Sequence, residues 1–564
     1  LESPQVRNRF VNSSVQKLLK QKPAPLAAKK NLALITPGNF EDDFDKLKDV
    51  DWIIEVIVEN LDIKKSLMEK IDAVRKPGTI VSSNTSGVSI NAMAEGRSED
   101  FQKHFLGTHF FNPPRYLKLL EVIPSNTTAP EVVSFMQAFG EDVLGKGVVI
   151  AKDTPNFIAN RIGTYGLIIT MREMKGRGYS VGEVDSVTGP LIGRPTSATF
   201  RTLDVVGLDT FAHVAKNVYD NTTGEEQEVF AEDLTLKKMI ENGWLGAKSG
   251  QGFFLKQGKE ITQLNLETFE YEPVKKLKTP SIEMAKQARG LANKVKTLVY
   301  AKDRTGELLW NIFAPTLIYS AKLTGEIADD IIAIDNALKW GFGWAQGPFE
   351  MWDAIGVKHS VEKMKEEGRE IPAFVQGLLD KGLDTFYSEI DGDLAYYDGT
   401  QYVKVPVNEK AIDLKRYKKK HGVIKSNSGA SLIDLQDGVL LLEFHSQSNA
   451  IGLDIIQMLN AAIDELENNT AYKGLVIGNQ GKNFCVGANL GMILMEAQDD
   501  NIFELDFVIN SFQKAMRRIK YAAKPVVAAP FQMTLGGDAE VCLPAAHIQA
   551  SAETYIGLVE AGVG

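Results

Sequence analysis

The feature that most constrains this chain is an alternation of short apolar runs with a helical pattern near its beginning. The runs DWIIEVIV (51–58) and TIVSS (79–83) are rich in β-branched residues and have the length of strands buried in a parallel sheet. Between them, DIKKSLMEKIDAVR (62–75) has helical apolar spacing. This order predicts a βαβ unit, and we expect an α/β domain over residues 1–152.

Two further apolar runs, 105–111 and 118–123, are joined only by a proline turn at 113–116. This connection is too short for a crossover helix, so the runs are predicted to pair antiparallel. The position of the turn then places His109 nearly opposite Glu121, within side-chain reach. A carboxylate bonded to one imidazole nitrogen raises the basicity of the other, which makes a general base. The alternative is a satisfied core histidine in an edge hairpin.

Two polar loops lie near this hairpin. Residues 82–87 (SSNTSG) follow the strand at 79–83, and residues 153–157 lead into a helix that carries Asn160 one turn in. Ligands of open α/β sheets bind at the carboxyl ends of the strands. Such loops are often only turns and helix caps. Their convergence on one strand end favours a ligand site.

Beyond residue 150 the chain becomes helical and contains an internal repeat. Residues 184–209 resemble 334–357, with Asp185 matching Asp335 and DVVG at 204–207 matching DAIG at 353–356. Agreement of both spacing and residue type indicates a duplicated helical unit, which we place at 153–255 and 301–400.

The segments 256–300 and 401–428 are lysine-rich, and the second contains KRYKKK. Charge runs of this kind predict solvated linkers. From residue 429 to 564 the pattern is α/β again. Strands are expected at 438–444, 474–479 and 525–529, with an amphipathic helix at 452–468.

Two glycine turns in the last region, NFCVGANL (483–490) and LGGDAE (535–540), each follow a predicted strand. Adjacent glycine turns direct backbone N–H groups into a cavity, which is how an oxyanion hole is made. Glu540 follows the second turn and Glu560 lies twenty residues further on. Paired carboxylates there suit acid/base chemistry on a carbon beside a carbonyl. Two surface glutamates are the alternative.

Composition narrows the function classes. The 564 residues suggest about three to five domains. A formal charge of -10 argues against a nucleic-acid partner, which needs a basic face. Two cysteines and no Cys/His spacing typical of a metal site indicate neither a disulfide scaffold nor a bound metal. No apolar run reaches the ~18 residues of a membrane span and no signal peptide is found, so a cytoplasmic location is expected.

The motifs GTHFFNP, KLLEVIP, IVENLDIKK, SNTSG, DTPNFIANRI and KSGQGFF, found over residues 45–255, together resemble the 3-hydroxyacyl-CoA dehydrogenase family. The resemblance implies a Rossmann-type domain that binds NAD and a helical domain that closes over an acyl-CoA. It implies that His109 takes the proton of the 3-hydroxyl and that Glu121 orients the imidazole. Ser86 would donate a hydrogen bond to the substrate oxygen, and Asn160 would help to hold His109 and the substrate in position.

The same resemblance implies that Glu59 and Lys64 contact the cofactor and that Asn84 and Asn112 line the site. An exposed helix lysine is the alternative for Lys64. Larger family members carry two copies of the helical unit, as here. The second copy has Trp310 where Asn160 stands in the first, so we expect one dehydrogenase site per chain and a structural second copy.

The family's GxGxxG phosphate loop is not found, since GKGVVI at 145–150 lacks the last glycine. In the family order the first strand, this loop and the acidic ribose-binding position would precede Leu1. We therefore expect an N-terminally incomplete Rossmann-type domain.

NFCVGANL and KPVVAAPFQMTLGGDAE resemble the crotonase (enoyl-CoA hydratase/isomerase) superfamily. This implies that the N–H groups of Val486 and Gly537 hold a thioester oxygen, while Glu540 and Glu560 activate water and protonate C2. Asn489 replaces the usual Asp. Asp538 replaces the third glycine and adds a carboxylate beside the anion-binding turn. The match spans about half a domain, so we expect a C-terminally incomplete crotonase-like domain.

The combined prediction is a bifunctional enzyme of fatty-acid β-oxidation, in which an NAD-dependent dehydrogenase precedes a hydratase along the chain. Its substrates are expected to be acyl-CoA thioesters. A thiolase is the candidate protein partner, and an oligomer is the candidate assembly. One alternative is a monofunctional dehydrogenase whose crotonase region only binds acyl-CoA. Another is a non-enzymatic acyl-CoA-binding or thiolase-docking subunit.

Overall fold

The computed structural model describes residues 3–408 and 410–559, apart from the side chains of Leu490 and Met492. The chain divides into two compact units. The first holds the residues up to Ser388 together with Ala395–Val403, and the second holds Glu389–Leu394 and the residues from Lys404 onward.

The first unit begins with an α/β domain whose sheet has the order β1-β2-β3-β4-β5. β1 to β3 are parallel, β4 runs antiparallel to β3, and β5 is parallel to β4. The predicted βαβ unit and hairpin are therefore confirmed. The elements are α1 (Pro4–Arg7), α2 (Arg9–Lys17), β1 (Trp52–Glu55), α3 (Leu61–Val74), β2 (Ile80–Ser83), α4 (Ile90–Ala94), α5 (Glu99–Lys103), β3 (Phe105–Phe110), β4 (Leu119–Pro124), α6 (Pro130–Asp142) and β5 (Gly147–Ile150).

The first helical copy follows the sheet, and a second copy comes later in the same unit. The first consists of α7 (Ala159–Gly176), α8 (Val181–Val187), α9 (Phe200–Val206), α10 (Leu208–Asn221), α11 (Gly224–Val229) and α12 (Leu234–Glu241). Between the copies lie β6 (Phe254–Gln257), β7 (Glu260–Leu264), β8 (Tyr271–Pro273), α13 (Pro280–Gln287) and α14 (Leu291–Val299). The second consists of α15 (Arg304–Lys322), α16 (Ile331–Gly341), α17 (Pro348–Ile355), α18 (Val357–Glu366) and α19 (Ala373–Asp380).

Equivalent aspartates make the same contacts in both copies. Asp185 accepts hydrogen bonds from the backbone at the start of α9, and Asp335 does so at the start of α17. Burial raises the pKa of Asp185 to about 7 and that of Asp335 to about 8. Asp204 and Asp353 likewise each accept two backbone N–H groups from the segment after their copy. These matching contacts support the predicted duplication.

The prediction of a solvated linker at 256–300 is wrong. The segment forms a three-stranded antiparallel sheet and two helices. Leu264, Val295 and Leu298 are fully buried in the core of the first unit. On α14, Lys296 is exposed while Val295, Leu298 and Val299 are buried, so this part of the segment is an amphipathic helix.

The prediction for 401–428 is wrong for a similar reason. KRYKKK belongs to the helix α20 (Leu414–His421), whose first residue packs against Ile433 and Leu441. Lys418 forms an ion pair of 2.6 Å with Glu443. Residues 387–404 hold three short strands, β9 (Tyr387–Ile390), β10 (Asp393–Tyr397) and β11 (Tyr402–Lys404). The other predicted domain boundaries stay predictions.

The second unit contains a six-stranded sheet of order β12-β13-β14-β15-β16-β18, and its strands from β14 to β18 are parallel. The three strands and the helix predicted here are confirmed. The elements after α20 are β12 (Lys425–Ser426), β13 (Ala430–Asp434), β14 (Val439–Phe444), α21 (Leu453–Asn468), β15 (Gly474–Gly478), α22 (Leu490–Gln498), α23 (Ile502–Tyr521), β16 (Val526–Ala528), β17 (Met533–Leu535), α24 (Gly537–Cys542), β18 (His547–Ile548) and β19 (Tyr555–Gly557). Across the described ranges, no helix is both long and apolar enough to span a bilayer.

The second helical copy packs against the elements that carry the predicted active site. The Phe342 ring lies at the end of α16, 6.3 Å from the Phe111 ring, and it also faces Gly163 of α7. A Cβ at Gly163 would lie 2.2 Å from this ring. Only glycine allows the close approach between α7 and the second copy.

We expect Gly163→Ala to lower the free energy of unfolding. The displaced ring costs about 1–3 kcal/mol, and the better helix propensity of alanine offsets only about 1 kcal/mol. Gly176→Ala, in the same helix with no atom within 4 Å of its added Cβ, is the matched control and should be neutral or stabilising. Denaturant unfolding of both variants tests this, and equal midpoints would contradict the packing account.

Candidate active sites

The antiparallel register places His109 of β3 directly opposite Glu121 of β4, as predicted. Their side chains are buried, and the histidine Nδ1 lies 2.7 Å from Glu121 Oε2. With Nδ1–H donated to the carboxylate, the lone pair remains on Nε2. Nε2 has no hydrogen-bond partner among the described residues. This is the geometry of a general base.

The second oxygen of Glu121 is held by the start of α7. Oε1 accepts hydrogen bonds from the N–H groups of Ile158 at 3.2 Å and Ala159 at 2.9 Å. Hydrogen bonds from a helix N-terminus stabilise the charged carboxylate. The His109 ring packs 4.8 Å from Phe111 and 5.7 Å from Phe157, measured between ring centroids. Both the position and the orientation of the imidazole are therefore determined by its neighbours.

The loop after β2 is tied to the same strand end. Asn84 Oδ1 accepts a hydrogen bond of 2.9 Å from the N–H of Phe110, the residue after His109. The Ser86 N–H donates to Glu59 Oε1 at 2.5 Å, while its half-buried hydroxyl bonds to no described residue. A free hydroxyl beside the carboxyl end of β3 is suited to binding a substrate oxygen.

Lys64 is buried in α3, which contradicts the alternative of an exposed helix lysine. Its ammonium group lies 2.8 Å from Glu55 Oε1 and 3.3 Å from Glu59 Oε2. Glu55 also accepts a hydrogen bond of 2.5 Å from the Ser83 hydroxyl. Glu55 was not among the residues predicted from the sequence. A glutamate inside an otherwise apolar strand is the signal that could have indicated it.

We expect Lys64→Met to destabilise the first unit, because it leaves Glu55 buried without its cation. Removing one member of a buried ion pair costs about 3–5 kcal/mol. The matched control is Lys65→Met, which removes the exposed pair of the next residue with Glu95 and should change stability little. The free energy of unfolding in urea distinguishes the variants. Two equal values would show that the buried pair is not needed.

The remaining two predicted residues differ in their surroundings. Asn160 lies in the first turn of α7, next to Ala159, and is half-buried. No described residue bonds to its side-chain amide, which leaves that amide available for a ligand. Asn112 lies on the exposed turn of the hairpin, and the structure does not bring it into the buried cluster.

An asparagine link joins the helical copy to the loop after β2, and sequence reasoning missed it. Asn156 and Phe157 have left-handed backbone conformations, with φ of 58° and 54°. This bend directs Phe157 toward His109. Asn156 is held by Asn217 of α10 at 2.7 Å, and the same Asn217 amide donates to Gly87 O at 3.1 Å. Partners 61 residues apart in the chain leave no local sequence signal.

The second candidate site lies in the second unit, where both glycine turns border a cavity of about 1320 Å³. The lining includes the predicted donors Val486 and Gly537 and the predicted acid Glu540. An ideal Cβ at Gly537 would lie 3.7 Å from Ala488 N, which shows how closely the two turns approach. Glu560 lies outside the described residues. Asp538 is buried between the turns.

The α/β domain and the helical copy that follows it are those of a NAD-binding dehydrogenase, as the family matches show. Residues 4–154 match the 3-hydroxyacyl-CoA dehydrogenase NAD binding domain, and 157–256 match its C-terminal domain. Residues 434–564 match the enoyl-CoA hydratase/isomerase family.

Relatives that match nearly the whole chain carry names that agree with these family matches. The chain is 64% identical over 563 residues to a Bacillus subtilis protein named "Probable 3-hydroxyacyl-CoA dehydrogenase", covering 100% of this chain and 71% of that protein. It is 29% identical to a Rickettsia prowazekii protein named as a putative fatty acid oxidation complex trifunctional enzyme, covering 99% and 74%.

Among solved structures, an Escherichia coli 3-hydroxybutyryl-CoA dehydrogenase shares the fold, with a TM-score of 0.52 and 21% identity over 67% of this chain and 92% of that one. The chain belongs to the 3-hydroxyacyl-CoA dehydrogenase family and carries an enoyl-CoA hydratase/isomerase domain after its dehydrogenase domains.

Proposed function

We propose that the chain oxidises 3-hydroxyacyl-CoA to 3-oxoacyl-CoA with His109 as general base. Nε2 takes the proton of the 3-hydroxyl, and the imidazolium that forms is stabilised by Glu121. The observation that carries this proposal is the 2.7 Å contact between His109 and Glu121, whose other oxygen is held by α7. Such a pair keeps the base oriented and balances the positive charge that develops on it.

The residues at the carboxyl ends of β1 and β2 fit a NAD site. Glu59, Lys64 and Asn84 lie there, where open parallel sheets bind nucleotides. Bound NAD supplies the acceptor for the hydride that leaves C3. Ser86 and Asn160 are proposed to bind the substrate oxygen, since the side chains of both have no hydrogen bond to a described residue. Asn112 is proposed to line the outer part of the site.

The second unit is proposed to hydrate a 2-enoyl-CoA. The N–H groups of Val486 and Gly537 would hold the thioester oxygen, and Glu540 and Glu560 would activate water and deliver a proton to C2. The cavity that borders both turns and Glu540 supports this assignment. The product, a 3-hydroxyacyl-CoA, is the substrate of the first unit. The two reactions are therefore consecutive steps of fatty-acid β-oxidation.

Two assays on the intact protein separate this proposal from its alternatives. NADH formation from a 3-hydroxyacyl-CoA tests the dehydrogenase, and its absence would favour a non-enzymatic binding subunit. Loss of crotonyl-CoA absorbance tests the hydratase, and its absence would favour a monofunctional dehydrogenase. We further propose a thiolase partner, because thiolysis consumes a 3-oxoacyl-CoA. We also propose a cytoplasmic location. An oligomeric state is part of the same proposal.

A further inference from the structure

Asp538 occupies an unusual position between the two glycine turns. It is fully buried, and its Oδ2 accepts a hydrogen bond of 2.7 Å from the N–H of Gly487. Gly487 follows the proposed donor Val486, and Asp538 follows the proposed donor Gly537. One side chain thus connects the residues immediately after both oxyanion-hole donors. Its hydrogen bond holds the two turns together, in addition to the backbone bond from Cys485 N–H to Met533 O.

The surroundings of this carboxyl do not suit a negative charge. The other oxygen, Oδ1, is buried and has no hydrogen-bond partner within the described ranges. The neighbouring titratable groups are the buried thiols of Cys485 and Cys542, and no cation contributes to its environment. β16 and β17, which pack against α24, carry no titratable side chain. An ionised carboxylate there would lack most of its solvation.

The charged side chains of the cavity lining are not hydrogen-bonded or ion-paired to this carboxyl among the described contacts. Arg517 and Lys520 of α23 and Glu540 of α24 border the cavity, but none forms a hydrogen bond or ion pair with Asp538 among the described contacts. Burial raises the pKa of Asp538 to about 7, while the Cys485 thiol and the Gly487 N–H lower it by less. Asp538 would therefore ionise as the pH rises through about 7.

The charge state matters because of what the adjacent N–H groups bind. The thioester oxygen gains negative charge when water adds to C3, and the donors at Val486 and Gly537 must stabilise it. A carboxylate one residue from both donors would oppose that charge, whereas a neutral acid would not. The neutral acid still accepts the Gly487 hydrogen bond through its carbonyl oxygen. The neutral form of Asp538 therefore keeps the hydrogen bond between the two turns and does not oppose the charge that develops on the thioester oxygen.

We propose that Asp538 is a positioning residue of the hydratase site, whose neutral carboxyl joins the two oxyanion turns. This inference rests on the proposed hydratase function. It gives the hydratase a dependence on pH that a glycine at this position would not produce. Rising pH ionises Asp538 and weakens the oxyanion hole, so kcat for hydration should decrease by about tenfold between about pH 6 and about pH 8.5.

The test compares pH profiles of crotonyl-CoA hydration by the intact protein and by Asp538→Asn. The asparagine keeps an acceptor for Gly487 N–H but cannot ionise. We expect the ratio of kcat at about pH 6 to kcat at about pH 8.5 to change from about 10 to about 1, with KM similar in both proteins. Asp538→Leu, which lacks the acceptor, should lose kcat at every pH, and we expect a loss of at least about tenfold.

The outcomes are separable. Parallel profiles of wild type and Asp538→Asn would overturn this proposal while leaving the hydratase assignment in place. A wild-type protein that forms NADH but does not hydrate crotonyl-CoA at any pH would overturn the hydratase assignment and this proposal with it. Denaturant unfolding of each preparation, compared with that of the wild type, verifies that the second unit of each variant is folded. A variant that fails this check is replaced by Asp538→Ser, for which a pH-independent kcat is expected and a wild-type profile would contradict the proposal.

Discussion

His109→Gln is expected to lower kcat for 3-hydroxyacyl-CoA oxidation by about 10²–10⁴-fold, the typical contribution of a general base. Glutamine fills similar space and its amide can still donate a hydrogen bond toward Glu121, but it cannot take a proton. KM for NAD should change little, because the proposed cofactor residues Glu59 and Lys64 belong to a separate buried network. Initial rates of NADH formation give both constants.

A matched histidine provides the control. His104 lies just before β3, where its Nδ1 is 2.8 Å from the carbonyl of Asp100, and it has no contact with the His109–Glu121 pair. His104→Gln should keep near wild-type turnover. Unchanged turnover in His109→Gln would refute the assignment of the base. Equal losses in both variants would indicate general damage to the hairpin rather than lost proton transfer.

The second large effect is expected in the other unit. Glu540→Gln should lower kcat for crotonyl-CoA hydration by about 10²–10⁴-fold, because the amide can neither accept a proton from water nor deliver one to C2. The effect should fall on kcat rather than KM, since the oxyanion N–H groups of Val486 and Gly537 remain. Hydration rates over a range of substrate concentration separate the two constants.

Glu504→Gln is the control for this experiment. Glu504 is an exposed residue of α23 that does not border the cavity. It should have no effect on hydration. If Glu540→Gln retained wild-type hydration, the acid/base chemistry would have to be assigned to other residues. If both variants were impaired alike, a loss of stability in the second unit would be the simpler cause.

Much of the dehydrogenase site could be predicted because it depends on local rules. A short turn and a period of two determine the hairpin register, which is enough to place Glu121 opposite His109 from the sequence alone. The helical repeat was visible because Asp185 and Asp335 cap equivalent helices, and this role requires both the residue type and the spacing. The two glycine turns were visible for a similar reason, since Gly487 and Gly536 have φ values of 101° and 59°, which favour glycine.

Other features depend on contacts between distant segments. The link between Asn156 and Asn217 joins residues 61 positions apart in the chain. The lysine-rich segments were misinterpreted because exposed charges outnumber the few apolar residues that anchor them, such as Val295 on α14 and Leu414 on α20. Charge density alone does not distinguish an amphipathic helix from a solvated linker.

The central claim is that one chain carries out hydration and oxidation in sequence. The most direct test supplies the intact protein with crotonyl-CoA and NAD and follows NADH. We predict NADH formation after a short lag, blocked by either Glu540→Gln or His109→Gln and restored when the two variants are mixed. NADH formation from 3-hydroxybutyryl-CoA but none from crotonyl-CoA would contradict the account and identify a monofunctional dehydrogenase.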